Sequence, residues 1–290
     1  TEWKADDKKS QITIRQLLSL TSGIKSDGIG RVPSYKKSLE AEMTFESGEK
    51  FQYGPAPFQI FGELMTRKLK EKRESPLDYL KRRVFDKIGI KYDSWKKDED
   101  GNPHLPSGAA LNAWNWAKFG EFTRKEGVWF GEQILDKELL SQCFKGTKAN
   151  PAYGLTWWLN SELDEKTKDS VKQLDNESNY IGDAGFIPKD LVYAAGALKQ
   201  RLYIIPTLKL VIVRQSESLK GRSFSDKEFL SLLLRGKSVE TKSPQTQSDS
   251  AENLTTAAKL TINRLDRDGN GKISKEEAGM WLKNLSLIHI

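Results

Sequence analysis

The stretch Ala194 to Arg214, AAGALKQRLYIIPTLKLVIVR, decides the fold. Gln200 to Ile205 and Leu208 to Gln215 are rich in β-branched, aromatic and other apolar residues, with Pro206-Thr207 between them. Two such runs joined by so short a turn predict an antiparallel hairpin. Val192 to Ala197 reads as a third strand of the same kind. Phe224 to Leu234 has amphipathic spacing, so a helix is expected to pack on the sheet.

Towards the N-terminus the period changes from two to 3.6. Thr13 can cap a short helix that carries Leu17, Leu18 and Leu20 on one face. Phe58 to Lys72 has apolar residues at helical intervals, Asp78 to Phe85 continues helical, and Gly89 stands where a C-terminal glycine ends an element. A further helix is expected over Ala113 to Lys125. Helices beside an antiparallel sheet give an α+β architecture.

After residue 235 the composition shifts. Residues 236–251 are Ser, Thr, Gln and Lys with almost no large apolar side chain, too little to offset ordering entropy, so this is expected to be a linker. Residues 252–284 form a second module around Asp266-Arg267-Asp268-Gly269-Asn270-Gly271-Lys272-Ile273-Ser274-Lys275-Glu276-Glu277. That run fits the EF-hand calcium loop. Asp266, Asp268 and Asn270 supply side-chain oxygens, Lys272 its backbone carbonyl, and Glu277 a bidentate carboxylate, so the expected cofactor is Ca2+. Gly271 sits at the sharp turn, and Ile273 holds the apolar position that pairs with a second EF-hand or a second copy. Residues 285–290 continue no motif and are expected to be an artefactual tail.

Composition excludes several classes. Cys143 is the only cysteine, so neither an intrachain disulfide nor a cysteine-rich metal site can form. His104 and His289 are the only histidines, which leaves little for a Ser-His-Asp triad or a His-based zinc site. The net charge of +7 comes from Lys and Arg spread along the chain, often beside Asp or Glu, with no nucleic-acid motif. No apolar run approaches the roughly 18 residues needed to span a membrane.

Ile12 to Ile24, ITIRQLLSLTSGI, resembles a segment of serine β-lactamase-related and penicillin-binding proteins. Phe51-Gln52-Tyr53-Gly54-Pro55 is similar to that family's second motif, Tyr-x-Asn. Val84 to Gly89, Ala117 to Gly120 and Tyr153 to Trp158 fall in the family's order. Ala194 to Arg214 looks like the terminal strands of its esterase-like branch. The resemblance covers about residues 10–234 and lies in ordered succession. It implies a β-lactamase/transpeptidase-like fold and acyl transfer through a covalent serine ester, on a small-molecule ester, amide or β-lactam. It also implies export to a periplasm or cell surface. Tyr53 is the implied proton-relay residue and Ala197 the oxyanion N–H donor. Gly196 is the implied small residue beside the substrate, and Trp157 a wall of the cleft.

Three departures qualify that picture. Pro55 replaces the family's amide-bearing Asn, and Lys199 stands where relatives often have Gly. The nucleophile of a Ser-x-x-Lys motif is expected before Thr1, which makes the domain N-terminally truncated. Ser22, Ser34, Ser47 and Ser94 each precede a lysine by three residues, but all sit in turn-like contexts. The alternative is a non-catalytic calcium-binding protein that keeps the fold.

Overall fold

The computed structural model describes residues 2–26, 31–168, 180–182, 184–217 and 224–238. The chain divides into two units, Thr1–Gly236 and Lys237–Ile290. The expected calcium loop, with Asp266, Asp268, Asn270, Lys272 and Glu277, lies outside the described residues, as do the tail and nearly all of the linker.

The first unit is built on a four-stranded antiparallel sheet whose strands lie side by side in chain order. Its strands are β5 (Trp158–Leu159), β6 (Val192–Gly196), β7 (Gln200–Ile205) and β8 (Leu210–Arg214). β7 and β8 pair from Arg201↔Arg214 to Ile205↔Leu210. Their turn is a short 3-10 segment, Pro206–Leu208, closed by Lys209 in the left-handed region.

Alternation along these strands creates two apolar faces. Trp158, Tyr193, Tyr203, Ile205 and Ile212 lie in one core cluster. Leu159, Val192, Leu202, Ile204 and Val211 lie in another. The helices of this unit include α1 (Ile14–Leu18), α2 (Tyr35–Glu40), α3 (Ala56–Leu69), α4 (Pro76–Leu80), α5 (Ala113–Arg124), α6 (Lys137–Gln142) and α7 (Asp226–Arg235). α5 packs Trp116 and Phe119 onto the second face. Its Gly120 permits the approach, since a Cβ there would come within 2.6 Å of Val211. α7 buries Leu230 against the first face, with Phe229 and Leu234 beside it.

Local rules account for the helix ends. Thr13 and Gln16 form a reciprocal capping box at α1. Ser75 and Asp78 form another at α4, which runs on into a π-helical turn, Lys81–Phe85. Gly89, with φ +65°, closes that segment, and Gly236, with φ +69°, caps α7. Two small hairpins complete the described strands: β1 (Ser94–Trp95) with β2 (Ala109–Ala110), and β3 (Val128–Trp129) with β4 (Glu132–Gln133). One expectation fails at α1. Leu20 leaves the helix with φ +59°, so Leu17 and Leu20 enter different core clusters instead of sharing one face. No helix among the described residues is long and apolar enough to cross a membrane.

Candidate active site

The Thr21-Ser22-Gly23 turn anchors the loops in front of the sheet. Gly23 has φ +80°, and a Cβ there would lie 2.1 Å from the Phe45 carbonyl oxygen, so only glycine fits. Thr44 N–H donates to the Gly23 carbonyl at 2.8 Å, and Gly48 N–H to the Thr21 carbonyl at 2.7 Å. Gln52 N–H donates to the Leu20 carbonyl at 2.9 Å, which fixes the loop that delivers Tyr53.

Tyr53 stands in an aromatic cluster immediately before α3. Its ring stacks on Trp158 at 5.8 Å and meets Tyr153 edge-on at 6.0 Å. Phe51 lies against Tyr153 at 5.2 Å. Tyr153 is fully enclosed, and burial raises its phenol well above the ordinary value, helped by the neighbouring Tyr53. The Trp158 indole N–H is buried with no hydrogen-bond partner among the described residues. Pro55 occupies the N-cap of α3 and offers no side-chain acceptor. Ser26 Oγ takes that role from another loop, accepting from Ala56 N–H at 3.1 Å.

Behind this cluster, β6 ends at Gly196, paired with Gln200 of β7. Ala197 is exposed and begins a three-residue 3-10 turn. Leu198 and Lys199 in that turn have φ +57° and +59°. A β-carbon in the left-handed region costs about 1 kcal/mol or more, so this turn carries strain at two successive non-glycine residues. The turn is held from both sides. Arg214 Nη1 donates to the Lys199 carbonyl at 2.7 Å. Arg201 Nη1 donates to the Gln200 carbonyl at 3.0 Å and the Gly196 carbonyl at 3.3 Å.

Arg201 is itself held by Asp226 at the start of α7. Its Nε donates to Oδ1 at 2.7 Å and its Nη2 to Oδ2 at 3.2 Å, while Tyr203 Oη donates to Oδ1 at 2.6 Å. Burial disfavours charge on Arg201, but the Asp226 carboxylate outweighs it and keeps the guanidinium pKa above its usual value. Burial, then the carboxylate, drives the Tyr203 phenol upward. This buried group was not apparent from the sequence.

Of the expected site residues, Tyr53 stands at the head of α3, and Gly196 and Ala197 stand at the end of β6. Trp157 packs on the other face of the sheet, stacked on Phe119 at 6.3 Å and edge-on to Phe144. Its neighbour Trp158 is the tryptophan that touches Tyr53.

Of the four serines that spell Ser-x-x-Lys, Ser22 and Ser47 serve loops, Ser34 caps a helix, and Ser94 lies in a strand instead of the expected turn. Ser22 Oγ accepts from Ile24 N–H at 3.4 Å, and Ser47 Oγ donates to the Ser22 carbonyl at 3.0 Å. Ser34 Oγ caps α2 by accepting from Lys37 N–H, while the Lys37 amine lies 4.0 Å from Glu99. Ser94 lies in β1. In none of the four pairs does the lysine amine hydrogen-bond the serine hydroxyl. Among the described residues, no group of three His, Cys, Asp or Glu side chains could hold a metal ion.

No protein-family model and no curated protein matches the sequence. Solved structures do. A Bacillus anthracis protein, named as an inferred 6-aminohexanoate-dimer hydrolase, superposes with a TM-score of 0.54 at 18% identity. That match covers 73% of this chain and 57% of the other. An inferred β-lactamase from Bacteroides dorei DSM 17855 gives 0.53 at 17% identity, covering 77% and 70%. At such identities the likeness defines the fold, and this chain has the β-lactamase/transpeptidase-like fold. It spans little more than half the length of the Bacillus protein.

Proposed function

We propose that the first unit carries the tyrosine and oxyanion-strand parts of a serine acyl-transfer site acting on a small ester, amide or β-lactam. The observation that carries this reading is the position of Tyr53. It lies just ahead of α3 and stacks on Trp158 of the sheet whose strand β6 ends at Gly196, with Ala197 opening the turn that follows. In this reading Tyr53 moves the proton between nucleophile and leaving group. The backbone N–H of Ala197 stabilises the oxyanion, and Gly196 leaves room for substrate along the strand. The nucleophile is a serine preceding Thr1. The loop-bound positions of Ser22, Ser34 and Ser47 support that assignment.

A chromogenic ester and a β-lactam, each followed by mass spectrometry, test the assignment on the 290-residue chain. No acyl adduct is expected. An adduct on Ser22, Ser34, Ser47 or Ser94 overturns it.

Calcium binding at Asp266, Asp268, Asn270, Lys272 and Glu277 is a second, independent part of the proposal and rests on the sequence. The dissociation constant is expected at about 10⁻⁵ to 10⁻³ M, the weaker part of the EF-hand range. Calorimetric titration of the chain beside Glu277→Gln checks it, and equal heats would rule this loop out. A fold-retaining, non-catalytic calcium-binding protein is the second reading. Pro55 favours it, because Ser26 rather than a substrate-binding amide now serves the head of α3.

A further inference from the structure

Lys and Arg are spread along the chain, but the net positive charge is not, which corrects the even distribution expected from the sequence. Residues 67–91 hold ten Lys and Arg against four Asp and Glu, which is six of the seven net positive charges. They span the end of α3, the 3-10 turn Lys70–Lys72, α4 and the π-helical turn. All ten cations are exposed. Four are neutralised locally: Arg67 by Glu2 and Glu63, Lys81 by Asp86, Arg82 by Glu74, and Lys87 by Glu132. Lys68, Lys70, Lys72, Arg73, Arg83 and Lys91 have no ion-pair partner among the described residues. Cations at the C-terminal end of α3 complement its dipole, which accounts for one or two of them. It does not account for six.

A second feature adjoins this surface. Phe130, at the tip of the β3–β4 hairpin, is 96% exposed. It holds a left-handed backbone, φ +48°, that a bulky residue adopts only at a cost. Its ring leans edge-on against Trp129 at 5.5 Å, and Trp129 is rooted in the core cluster that contains Val84, Phe85 and Ile88. The hairpin is therefore seated on the basic segment, and Lys87 reaches Glu132 of β4 at 3.4 Å. An exposed aromatic on a hairpin packed against the basic segment matches a charged interface with an apolar layer beneath it.

We propose that this face docks on an anionic lipid surface, with the six unpaired cations at the headgroups and Phe130 at the headgroup–acyl boundary. Cations near such a surface are attracted to it, and an exposed phenyl ring adds apolar burial at the interface. A soluble polyanion, including nucleic acid, would use the charge but leave Phe130 in water, so the lipid surface fits both features.

Co-sedimentation of the full chain with vesicles of phosphatidylcholine, alone or mixed with phosphatidylglycerol, tests the proposal. Binding is expected only to the mixed vesicles and should weaken as salt is raised. Each surface cation contributes roughly fivefold, so reversing Lys68, Lys70, Lys72 and Arg73 together to Glu should cut partitioning by about 100-fold or more. Reversing Lys36, Lys145, Lys148 and Lys209 changes net charge equally and should retain most of the binding. Phe130→Ser should lower partitioning about fivefold with an unchanged salt slope. Circular dichroism of each variant reports folding, and Phe130→Ser, at a fully exposed tip, keeps the test open if a charge variant misfolds. Three results overturn the proposal: no binding to the mixed vesicles, equal losses in the two charge-reversed sets, or Phe130→Ser binding like the parent. Tight binding to duplex DNA or polyphosphate without vesicle binding would assign the face to a soluble polyanion instead.

Discussion

Arg201 and Asp226 are joined by two hydrogen bonds across the junction of β7 and α7, with 0% and 6% of their side chains exposed. Because Arg201 also donates to the Gly196 carbonyl, the pair fixes the turn that carries Ala197 as well as the helix that covers the sheet. Two charges removed from water are tolerated here because the geometry is bidentate and Tyr203 satisfies a further lone pair.

Removing one partner leaves the other charged and buried. Asp226→Ala is expected to cost about 3–5 kcal/mol in urea unfolding. Replacing both Arg201 and Asp226 with Leu should cost clearly less than the single substitution. A double variant as unstable as Asp226→Ala would mean that the pair's worth lies in its hydrogen bonds to the turn.

Lys199 is a non-glycine residue held at φ +59°. Lys199→Gly should raise stability by about 0.5–1 kcal/mol, the relief of left-handed strain less the entropy that glycine adds to the unfolded chain. Lys199→Val should lower it by more than about 1 kcal/mol, because a β-branched residue tolerates this backbone least. Thermal unfolding of the two variants checks both signs.

Asp98 accepts from Asn102 N–H at 2.8 Å, Asp100 N–H at 3.1 Å and Tyr35 N–H at 3.4 Å. Partial burial pushes its carboxyl upward, but these donors outweigh it and hold the pKa below the ordinary value. A carboxylate whose pKa is depressed by folding stabilises fully above its unfolded pKa, near 4, and the contribution is lost as pH falls through the lower folded value. Asp98→Asn should therefore cost about 1–2 kcal/mol at neutral pH, with the gap to the parent closing below roughly pH 4. Denaturant midpoints at pH 7 and pH 3 measure it, and a gap unchanged between them would contradict the account.

Gly23→Ala meets both a positive φ and a carbonyl 2.1 Å from the new methyl. A loss above about 3 kcal/mol is expected, enough to leave much of the protein unfolded near physiological temperature. A Tm within a few degrees of the parent would show that the Phe45 loop moves freely.

The sheet was legible in the sequence because strand alternation is local. Val192 to Gly196 and Gln200 to Ile205 each bury alternate residues on two faces, and the Pro206-Thr207 break marks their neighbour. Trp157 and Trp158 show where legibility stops. Adjacent tryptophans on consecutive positions face opposite sides, and only the register Trp158↔Tyr193 decides which of them meets Tyr53. Arg201 and Asp226 are 25 positions apart and become partners only when α7 folds over the sheet. Leu20 was read as part of a helical face, but the tight turn into Thr21-Ser22-Gly23 took it out of the helix. The calcium loop is the most specific motif in the sequence and falls outside the described residues.

Tyr53 is the residue on which the acyl-transfer reading stands, so its effect on acylation is the most direct test. The measurement is the rate at which a serine-directed acylating ester labels the protein expressed with the coding sequence that precedes Thr1, resolved by mass spectrometry. A single adduct is expected, on a serine ahead of Thr1 with a lysine three residues after it. Tyr53→Phe should lower the rate by about 10²-fold or more, the scale of a lost proton-transfer residue. Labelling at equal rates in the parent and Tyr53→Phe, or no adduct on any serine, would contradict it.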